Sequence, residues 1–227
     1  MISVIIPTLN VAASLPQLLA GLLRETVPAE IIVVDGGSDD ATPLIAREAG
    51  VRLIAAAGGR GAQLRAGAQA ARGAVLLFLH ADSGFPAGGL RCIEETLAGA
   101  PELVGGNFRI AFDGEDRFSR WLTGFYAWFR RHGLYYGDSG IFARRRVYDA
   151  LGGIRPIALM EDYDFSRRLQ RAGPTCCLDE LTLISSSRRF RGRHPVRIFF
   201  GWLWLHALFH LGVSPERLAQ IYRSARR

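Results

Sequence analysis

Continuous runs of apolar residues, each followed by a polar tip, mark the first half of the chain. The longest such run, residues 74–79, leads directly into His80, Ala81 and Asp82. A strand with one face in water would alternate apolar and polar residues, so this run predicts a strand that is buried on both faces. Three further apolar runs predict strands at residues 2–7, 31–34 and 51–55.

The segments between these strands carry the marks of helices. Residues 15–23 place leucines on one helical face behind Ser14, which is a predicted N-cap. The next helix has Thr42 as its predicted N-cap, Pro43 at its first position and Gly50 just beyond its end. This strand–helix alternation predicts an α/β fold with a mainly parallel, doubly wound sheet and helices on both faces.

The second half of the chain alternates less regularly. A helix at residues 90–97 precedes an extended segment at 103–112, an aromatic segment at 118–129 and a loop that enters a strand at 137–142. Glu161 and Asp162 open a predicted helix that stops before Gly173, and a strand at 175–184 follows. Two helices close the chain. We find no repeat and no linker, so we expect residues 1–227 to form a single domain.

The composition is that of a globular protein, and its excess of arginine favours partners that carry negative charge. Of its 227 residues 49% are hydrophobic and 22% are charged, and the net charge is +7. Every basic residue is an arginine, and the guanidinium group binds phosphate and carboxylate in bidentate geometry. Nucleic acid, anionic lipid headgroups and phosphorylated small molecules are all compatible with that charge. Three cysteines without disulfide or zinc spacing, and an N-terminus unlike a signal peptide, predict a cytoplasmic protein.

Two strand ends carry candidate ligand-binding residues. In open α/β sheets, ligands bind in the crevice at the carboxyl ends of the strands. Asp35, followed by Gly36 and Gly37, could accept hydrogen bonds from a nucleobase or a ribose, or form an Asx turn that leads into the next helix. At the end of the run at 74–79, His80 and Asp82 are candidate metal ligands, since a divalent cation requires such donors.

Arginines and carboxylates elsewhere supply further candidates. Arg60, among three glycines, is either a phosphate ligand or a solvated turn residue. Glu161 and Asp162 either complement a helix dipole or provide a catalytic base at the crevice. Arg188 and Arg189 begin an arginine-rich loop that is either a solvated surface or a flexible segment that closes on a diphosphate.

Together these motifs resemble the family 2 glycosyltransferases of the GT-A fold over nearly the whole chain. The resemblance is carried by VIIPTLN from Val4, IVVDGGSDDAT from Ile32, the strand ending at Asp82, and Glu161-Asp162. Finer motifs resemble a bacterial subgroup named radical-SAM/selenodomain-associated or arsenosugar-biosynthesis glycosyltransferases. These motifs are GDSGIF from Gly137, the segment LMEDYDFSRRL, SSRR from Ser186, and LGVSPERL near the C-terminus.

The resemblance implies roles for individual residues. Pro7, Asn10 and Asp35 would line the nucleotide pocket, with Asp35 on the base, and Asp162 would be the catalytic base. Asp82 would be the last carboxylate of the D-x-D metal motif, where His80 replaces the usual first aspartate. An imidazole at that position suits manganese better than magnesium.

Together these assignments describe the enzyme that the resemblance implies. A sugar moves from a nucleotide-diphosphate donor, with a UDP-sugar favoured, to an unknown hydroxyl acceptor, with inversion at the anomeric carbon. Mn²⁺ or Mg²⁺ assists, and Arg60, Asp138 and Glu161 bind substrates. Residues 1–100 would form the nucleotide-binding half, 101–195 the acceptor and catalytic half, and 196–227 the C-terminal helices. A Q-x-x-R-W motif is absent, which favours transfer of a single sugar.

The aromatic C-terminal segment leaves its own alternatives open. The apolar run at residues 198–213 is shorter than the roughly 20 residues that a spanning helix needs. It would pack in the core, form a homodimer interface or lie on the inner face of the membrane. His206 and His210 lack a third metal ligand, so we interpret them as core or interface residues.

Two other functions stay open at this stage. A sugar-phosphate nucleotidyltransferase would require a glycine-rich loop with a lysine after the first strand, which the chain lacks. A non-catalytic nucleotide- or nucleic-acid-binding module would use the arginine surface, and its binding would depend steeply on salt. The glycosyltransferase interpretation expects no nucleic-acid partner.

Overall fold

The two-sided burial predicted for residues 74–79 is present in the structure at residues 76–79, whereas Ala74 is exposed and Val75 is half-buried. A computed structural model describes residues 1–187 and 195–224 and places Val75–Phe78 near the middle of an eight-stranded sheet. Leu77 and Leu79 pack into one hydrophobic cluster, and Leu76 and Phe78 pack into a second cluster. Because successive side chains of a strand point to opposite faces, the two clusters lie on opposite sides of the sheet.

Strands and helices follow one another along the chain within the described residues. Their bounds are β1 Ile2–Thr8, α1 Leu15–Leu23, β2 Ala29–Asp35, α2 Thr42–Glu48, β3 Arg52–Ala55, α3 Arg60–Ala70, β4 Val75–Phe78, β5 Ser83–Gly84, α4 Gly89–Gly99, β6 Gly105–Phe112, α5 Arg117–Arg131, β7 Ile141–Arg144, α6 Arg145–Ala150, α7 Glu161–Ala172, β8 Thr175–Ser185, α8 Pro195–His210 and α9 Pro215–Ser224. A short 3₁₀ turn, Gly137–Ser139, precedes β7.

The sheet has the order β3-β2-β1-β4-β7-β6-β8-β5. The first four strands are parallel, and Ile5 of β1 lies opposite both Ile32 of β2 and Phe78 of β4. Beyond β4 the sheet is mixed, because β7 runs antiparallel to both β4 and β6 while β8 is parallel to β6. The α/β class is confirmed, and the sheet is parallel throughout only in the half formed by the alternating segments.

Helices cover both faces of this sheet, as the pattern predicted. On one face α1 and α4 bury leucines and isoleucines against β1, β2 and β4, and on the other face α3 and α7 do so. The deepest helical contributors are Leu15, Leu18, Leu19, Leu90 and Ile93 on the first face, and Leu64, Ala68, Phe165 and Leu169 on the second. This packing fixes where each strand ends and therefore where the polar tips lie.

Helices α5 and α8 pack against each other beside the sheet. The ring of Phe125 stacks on Trp202 with centroids 6.2 Å apart, and Leu122 packs against Ile198. Phe200, Leu203 and Trp204 of α8 remain exposed. Within the described part of the chain, every helix is too short or too polar to cross a bilayer.

Two predicted helix starts differ from the structure. Helix α2 begins at Thr42 itself, because the Asp40 carboxylate accepts the Thr42 N–H and the Thr42 hydroxyl accepts the N–H of Val11 instead of capping. Arg60, which the sequence placed in a glycine loop, is the first residue of α3. Gly58 and Gly59 form the loop, with φ of 100° and 87°, values that favour glycine.

Candidate active site

Four of the predicted residues meet where β4 ends and α3 and α7 begin. Nη1 of Arg60 lies 3.2 Å from Nε2 of His80, and Nη2 of Arg60 lies 3.3 Å from Oδ2 of Asp162. The Arg60 Nε atom donates to the carboxylate of Glu161. Arg60 comes from the first turn of α3, so two helix N-termini and one strand end build this cluster.

Asp162 is held by several donors at once. Its Oδ2 accepts the N–H of Gly137 at 2.9 Å, its Oδ1 accepts the N–H of Tyr163 at 2.7 Å, and only 9% of the residue is exposed. Burial raises the pKa of this carboxyl, but the Arg60 charge and the Gly137 N–H outweigh it, so the pKa of Asp162 lies below its usual range. Asp162 is therefore an ionised carboxylate.

Glu161 has the opposite electrostatic character. The residue is 1% exposed, and burial together with the charge of Asp162 raises its pKa although Arg60 acts in the other direction. That Glu161 contacts substrate stays a prediction; its side chain is paired with Arg60 and is not among the residues that line the neighbouring cavity. The two adjacent carboxylates in the first turn of α7 therefore differ in position. That of Glu161 is buried, and that of Asp162 faces the cavity.

Arg60 is paired with two carboxylates in the structure, and its role as a phosphate ligand stays a prediction. Its side chain is 33% exposed, and burial, which lowers its pKa, is outweighed by Asp162 and Glu161, which raise it. In the sequence Arg60 is 101 positions away from Glu161 and 102 positions away from Asp162, so no local sequence signal could reveal this pairing. The exposed part of the guanidinium faces the cavity, where an anion can still reach it.

Gly137 is a site residue that the sequence reasoning did not single out. A Cβ atom at this position would lie 3.0 Å from Oδ2 of Asp162 and 3.0 Å from Nε2 of His80. A side chain at this position would therefore require Asp162 or His80 to shift by a few tenths of an ångström. Met160, directly before α7, has a left-handed φ of 68°, which is uncommon for this residue type. A glycine next to a polar motif was the available signal.

The predicted metal ligands are only partly suited to a cation. Among residues 1–187 and 195–224, no three His, Cys, Asp or Glu side chains cluster closely enough to hold one. Since arginine can only donate, Nε2 of His80 accepts from Arg60, and a cation at that nitrogen would have to displace the guanidinium. The Asp82 carboxylate lines the cavity and fits a cation that takes its remaining ligands from substrate phosphates.

The predicted nucleotide residues lie together at the carboxyl ends of β1 and β2. Asp35 accepts hydrogen bonds from the N–H groups of Gly37 at 3.0 Å and Ser38 at 2.9 Å and from the Ser38 hydroxyl at 2.6 Å. Burial raises its pKa, and these hydrogen bonds outweigh burial and lower it. The loop has the hydrogen bonds of an Asx turn, because the Asp35 carboxylate accepts the N–H groups of the residues two and three positions further on.

Asn10 and Pro7 belong to the same region. The side-chain oxygen of Asn10 accepts the N–H of Asp39 at 3.0 Å, and its own N–H donates to Ser38 at 2.9 Å. Pro7 is buried in β1 and is paired with Val34 of β2. Arg188 and Arg189 lie outside the described residues.

A cavity of about 410 Å³ adjoins Asp162. Its lining includes the charged and polar side chains of Arg60, His80, Asp82, Asp138 and Asp162. Asp138 comes from the 3₁₀ turn before β7. Most of the remaining wall is aromatic and aliphatic and comes mainly from α5 and α8, with two serines of β8 and its end and two histidines of α8 among it. The cavity can therefore place a hydroxyl group against an ionised carboxylate and shield the rest of a molecule from water.

Two histidine–tyrosine pairs fasten α8 beside this site. Nε2 of His206 lies 2.9 Å from the Tyr136 hydroxyl, and Nε2 of His210 lies 3.0 Å from the Tyr163 hydroxyl. Burial and the neighbouring His210 lower the pKa of His206 to about 4. The expectation that these histidines serve packing fits these contacts, since each is paired with a tyrosine.

Known proteins similar to this chain share its fold and part of its sequence. The PGL/p-HBAD biosynthesis glycosyltransferase of Mycobacterium bovis is 43% identical over 90 residues, which cover 36% of this chain and 35% of that protein. The match therefore spans about a third of the relative's length.

Solved structures match a larger share of the chain. The mannosyltransferase PcManGT from Pyrobaculum calidifontis, in complex with GDP-Man and Mn²⁺, has a TM-score of 0.68 at 17% identity and covers 99% of this chain and 73% of that chain. TarS residues 1–349 from S. aureus, in complex with UDP-GlcNAc, has a TM-score of 0.66 at 18% identity and covers 86% and 60%. These structures show that the fold is GT-A-like.

The sequence model of the glycosyl transferase family 2 matches residues 3–152. That range contains β1 to β4, the His80-Ala81-Asp82 tip and the 3₁₀ turn with Gly137 and Asp138. By this match over more than half of its length, the chain belongs to glycosyl transferase family 2.

Proposed function

We propose that this protein transfers a sugar from a nucleotide-diphosphate donor to a hydroxyl group of an acceptor, with inversion at the anomeric carbon. One observation carries the proposal. Asp162 presents an ionised carboxylate to a cavity of about 410 Å³ at the carboxyl end of the central strand. Family membership supports the reaction class, and neither a nucleotidyltransferase nor a binding module is favoured by any contact at this site.

In the proposed reaction Asp162 accepts the proton of the acceptor hydroxyl while that oxygen attacks the anomeric carbon. The bond between that carbon and the diphosphate oxygen breaks, and its electron pair leaves with the nucleotide diphosphate. The transition state resembles an oxocarbenium ion, with negative charge growing on the leaving group. Asp138, at the same end of the cavity, orients the acceptor.

Arg60 links donor binding to the base. Its charge keeps the pKa of Asp162 low, and a weak base removes a proton poorly. A diphosphate bound beside Arg60 would compete with the carboxylates for the guanidinium, and each hydrogen bond that Asp162 loses raises its proton affinity. Arg188 and Arg189 are proposed to contact the same diphosphate.

We propose Asp82 as the protein ligand of a Mn²⁺ or Mg²⁺ ion that is shared with the donor phosphates, and His80 as its neighbour on the Arg60 side. Such an ion, when bound, neutralises charge that develops on the departing diphosphate. The proposal is supported by the Asp82 carboxylate at the polar end of the cavity and by the Mn²⁺ in the PcManGT complex.

We assign the donor nucleotide to the loops that follow β1 and β2. Pro7 and Asn10 lie there, and Asp35 would contact the base if its turn opens. The UDP-GlcNAc of TarS and the GDP-Man of PcManGT support a nucleotide-sugar, and we favour a UDP-sugar. Residues 1–100, 101–195 and 196–227 would then be the donor half, the acceptor half and the C-terminal helices of one domain.

Two finer assignments belong to the same proposal. The motifs from Gly137 and from Glu161 support the radical-SAM-associated subgroup. The exposed apolar side of α8, which includes Phe200 and Trp204, supports a homodimer or a contact at the inner face of the membrane.

A thermal-shift screen tests donor use directly. A ligand that binds only the folded state raises stability by about 2.7 kcal/mol at a hundredfold excess over its Kd. We expect a UDP-sugar with Mn²⁺ to raise Tm and to be cleaved slowly to free nucleotide diphosphate. The proposal would be contradicted if no nucleotide raised Tm, or if every nucleotide raised it equally, and the donor stayed intact.

A further inference from the structure

The long wall of the cavity has a chemistry that the transfer reaction does not itself require. Beyond Asp162 the cavity is lined by rings and aliphatic chains, among them those of Phe125, Phe199, Trp202 and Leu203. Cavities of 300–1,000 Å³ with such walls and a few polar groups bind small molecules. We infer that the acceptor is an amphiphile, a single hydroxyl joined to an aryl or medium-chain alkyl body. This inference rests on the proposed function.

Aromatic rings form a continuous path from the base to the far end of the cavity. Tyr163, the neighbour of Asp162, stacks on Tyr136 with centroids 6.0 Å apart. Tyr136 is 6.1 Å from Tyr126, and Tyr126 is 5.8 Å from Trp202. An acceptor with its hydroxyl at Asp162 would therefore lay the rest of its length along rings.

The charged groups of the cavity cluster at Asp162, and the other polar groups in its lining are those of tyrosines, two serines and two histidines. Phe125, Phe199 and Leu203 offer no hydrogen-bonding atom. A second sugar placed against these three side chains would leave the hydroxyl groups that face them without partners, at a cost of about 1–3 kcal/mol for each one buried. An apolar body carries no such cost and gains from leaving water.

Specific contacts hold the apolar wall in place. Helix α8 is tied to the site by the His206–Tyr136 and His210–Tyr163 contacts, so its apolar side is held at the cavity. Leu203 lines the cavity although it is 54% exposed, which places it at the mouth. Trp204, 60% exposed, is the next residue of α8 and lies outside the cavity lining.

Binding of para-alkylphenols tests the inference without requiring turnover. We expect the Kd, measured by titration calorimetry, to fall from phenol through para-propylphenol to para-heptylphenol by up to about fourfold per methylene. Glucose and maltose should not bind measurably. Affinity that does not change with chain length, or preferential binding of the sugars, would overturn the inference.

Two exposed positions on α8 provide a matched pair of variants. Leu203→Asp puts a charge at the mouth and should weaken para-heptylphenol binding by at least about tenfold while leaving phenol binding nearly unchanged. Trp204→Asp puts the same charge one residue further along the helix and should change the affinity for neither phenol. Because both residues are exposed, both variants should fold. Equal effects of the two charges would overturn the inference.

Product formation separates this inference from the proposed function. We expect a glycosylated phenol to form from a cleavable nucleotide-sugar, or a glycosylated alcohol to form when phytol is supplied in phosphatidylcholine vesicles. The first product identifies a free amphiphile and the second a membrane lipid. A donor that is cleaved only by water, with neither alcohol glycosylated, overturns the acceptor class alone. A donor that is never cleaved overturns the proposed function and the acceptor class with it.

Discussion

Arg60 and Asp162, 102 positions apart in the sequence, form an ion pair in which Nη2 lies 3.3 Å from Oδ2. The same guanidinium contacts Glu161 and His80, so one arginine at the start of α3 organises the carboxyl end of the central strand. It keeps Asp162 ionised and compensates for the burial of Glu161. The site therefore depends on one long-range cation.

Removing that cation should destabilise the fold. Arg60→Gln leaves Glu161, 1% exposed, without its ionic partner. Breaking a buried pair costs about 3–5 kcal/mol, and we expect about 2–3 because Arg60 is itself partly exposed. The double variant Arg60→Gln/Glu161→Gln should recover much of the loss. Urea denaturation measures both.

The pair between Arg52 and Glu30 provides a control. Its N–O distance is 3.1 Å, but the Arg52 side chain is 40% exposed. Arg52→Gln should cost under about 1 kcal/mol. A loss as large as that of Arg60→Gln would show that general charge balance, rather than the buried cluster, sets the effect.

Gly137→Ala should impair catalysis more than folding. The new Cβ would lie 3.0 Å from both Asp162 and His80, so one of these groups must shift. A misplacement of about 1 Å in an active site costs about a hundredfold in rate, and because a shift of a few tenths of an ångström relieves these contacts, we expect a loss of about threefold to tenfold. Steady-state rates and Tm, measured together, separate the two effects.

Gly124 offers the matched substitution. It lies in α5, and a Cβ atom added there would meet no neighbouring atom within 4 Å, so Gly124→Ala should stabilise the helix by about 0.5–1 kcal/mol and leave the rate unchanged. Unimpaired transfer by Gly137→Ala would contradict the close approach of this backbone to the base.

His206 should make stability dependent on pH. Its pKa is about 4 in the folded protein and about 6.5 when unfolded, so between these values the unfolded chain binds the additional proton. The contribution of His206 to the free energy of unfolding is therefore fully present above about pH 6.5 and is lost as the pH falls towards 4. The neighbouring groups are Tyr136, His210 and Asp162.

The variant His206→Asn should lose this dependence. We expect the difference in unfolding free energy between wild type and variant to change by about 1–2 kcal/mol from about pH 7 to about pH 4.5, less than the full shift because the ring is partly exposed. Parallel stability curves for wild type and His206→Asn would contradict the lowered pKa.

Asp35 should contribute to stability through its turn. Its oxygens accept from Gly37, Ser38 and Thr8, of which only Thr8 is buried, so Asp35→Ala should cost about 1 kcal/mol by removing the acceptor of the turn. Ser38→Ala, which removes one hydroxyl donor, should cost less. If Asp35 also contacts the base, the choice among nucleotide diphosphates disappears in Asp35→Ala, and unchanged selectivity in the folded variant would reject that role.

The sequence predicted elements better than it predicted contacts. The run at residues 74–79 required a strand covered on both faces, and the leucines at 15–23 required an amphipathic helix, because each signal lies within one segment. Sheet order beyond β4 was not predictable, since the antiparallel β7 depends on long connections.

The site shows the same division. The residues near the crevice were found from their positions at strand ends and helix starts. The contact between Arg60 and α7 was not, because an ion pair across 101 residues leaves no local pattern. The aromatic segments were interpreted as packing or interface, and only their arrangement around Asp162 reveals a cavity wall.

The most direct test of the account is the transfer rate of Asp162→Asn, measured together with its donor affinity and its Tm. Gly137 and Tyr163 donate to different oxygens of Asp162, and the amide keeps only one of them, so we expect a modest fall in Tm while the fold and donor binding persist. Transfer should fall by about two to four orders of magnitude, which is the usual contribution of a general base. If Asp162 only complements the helix dipole, stability falls by about 1 kcal/mol and activity is retained. A variant that transfers sugar at close to the wild-type rate would contradict the assignment of Asp162 as the base.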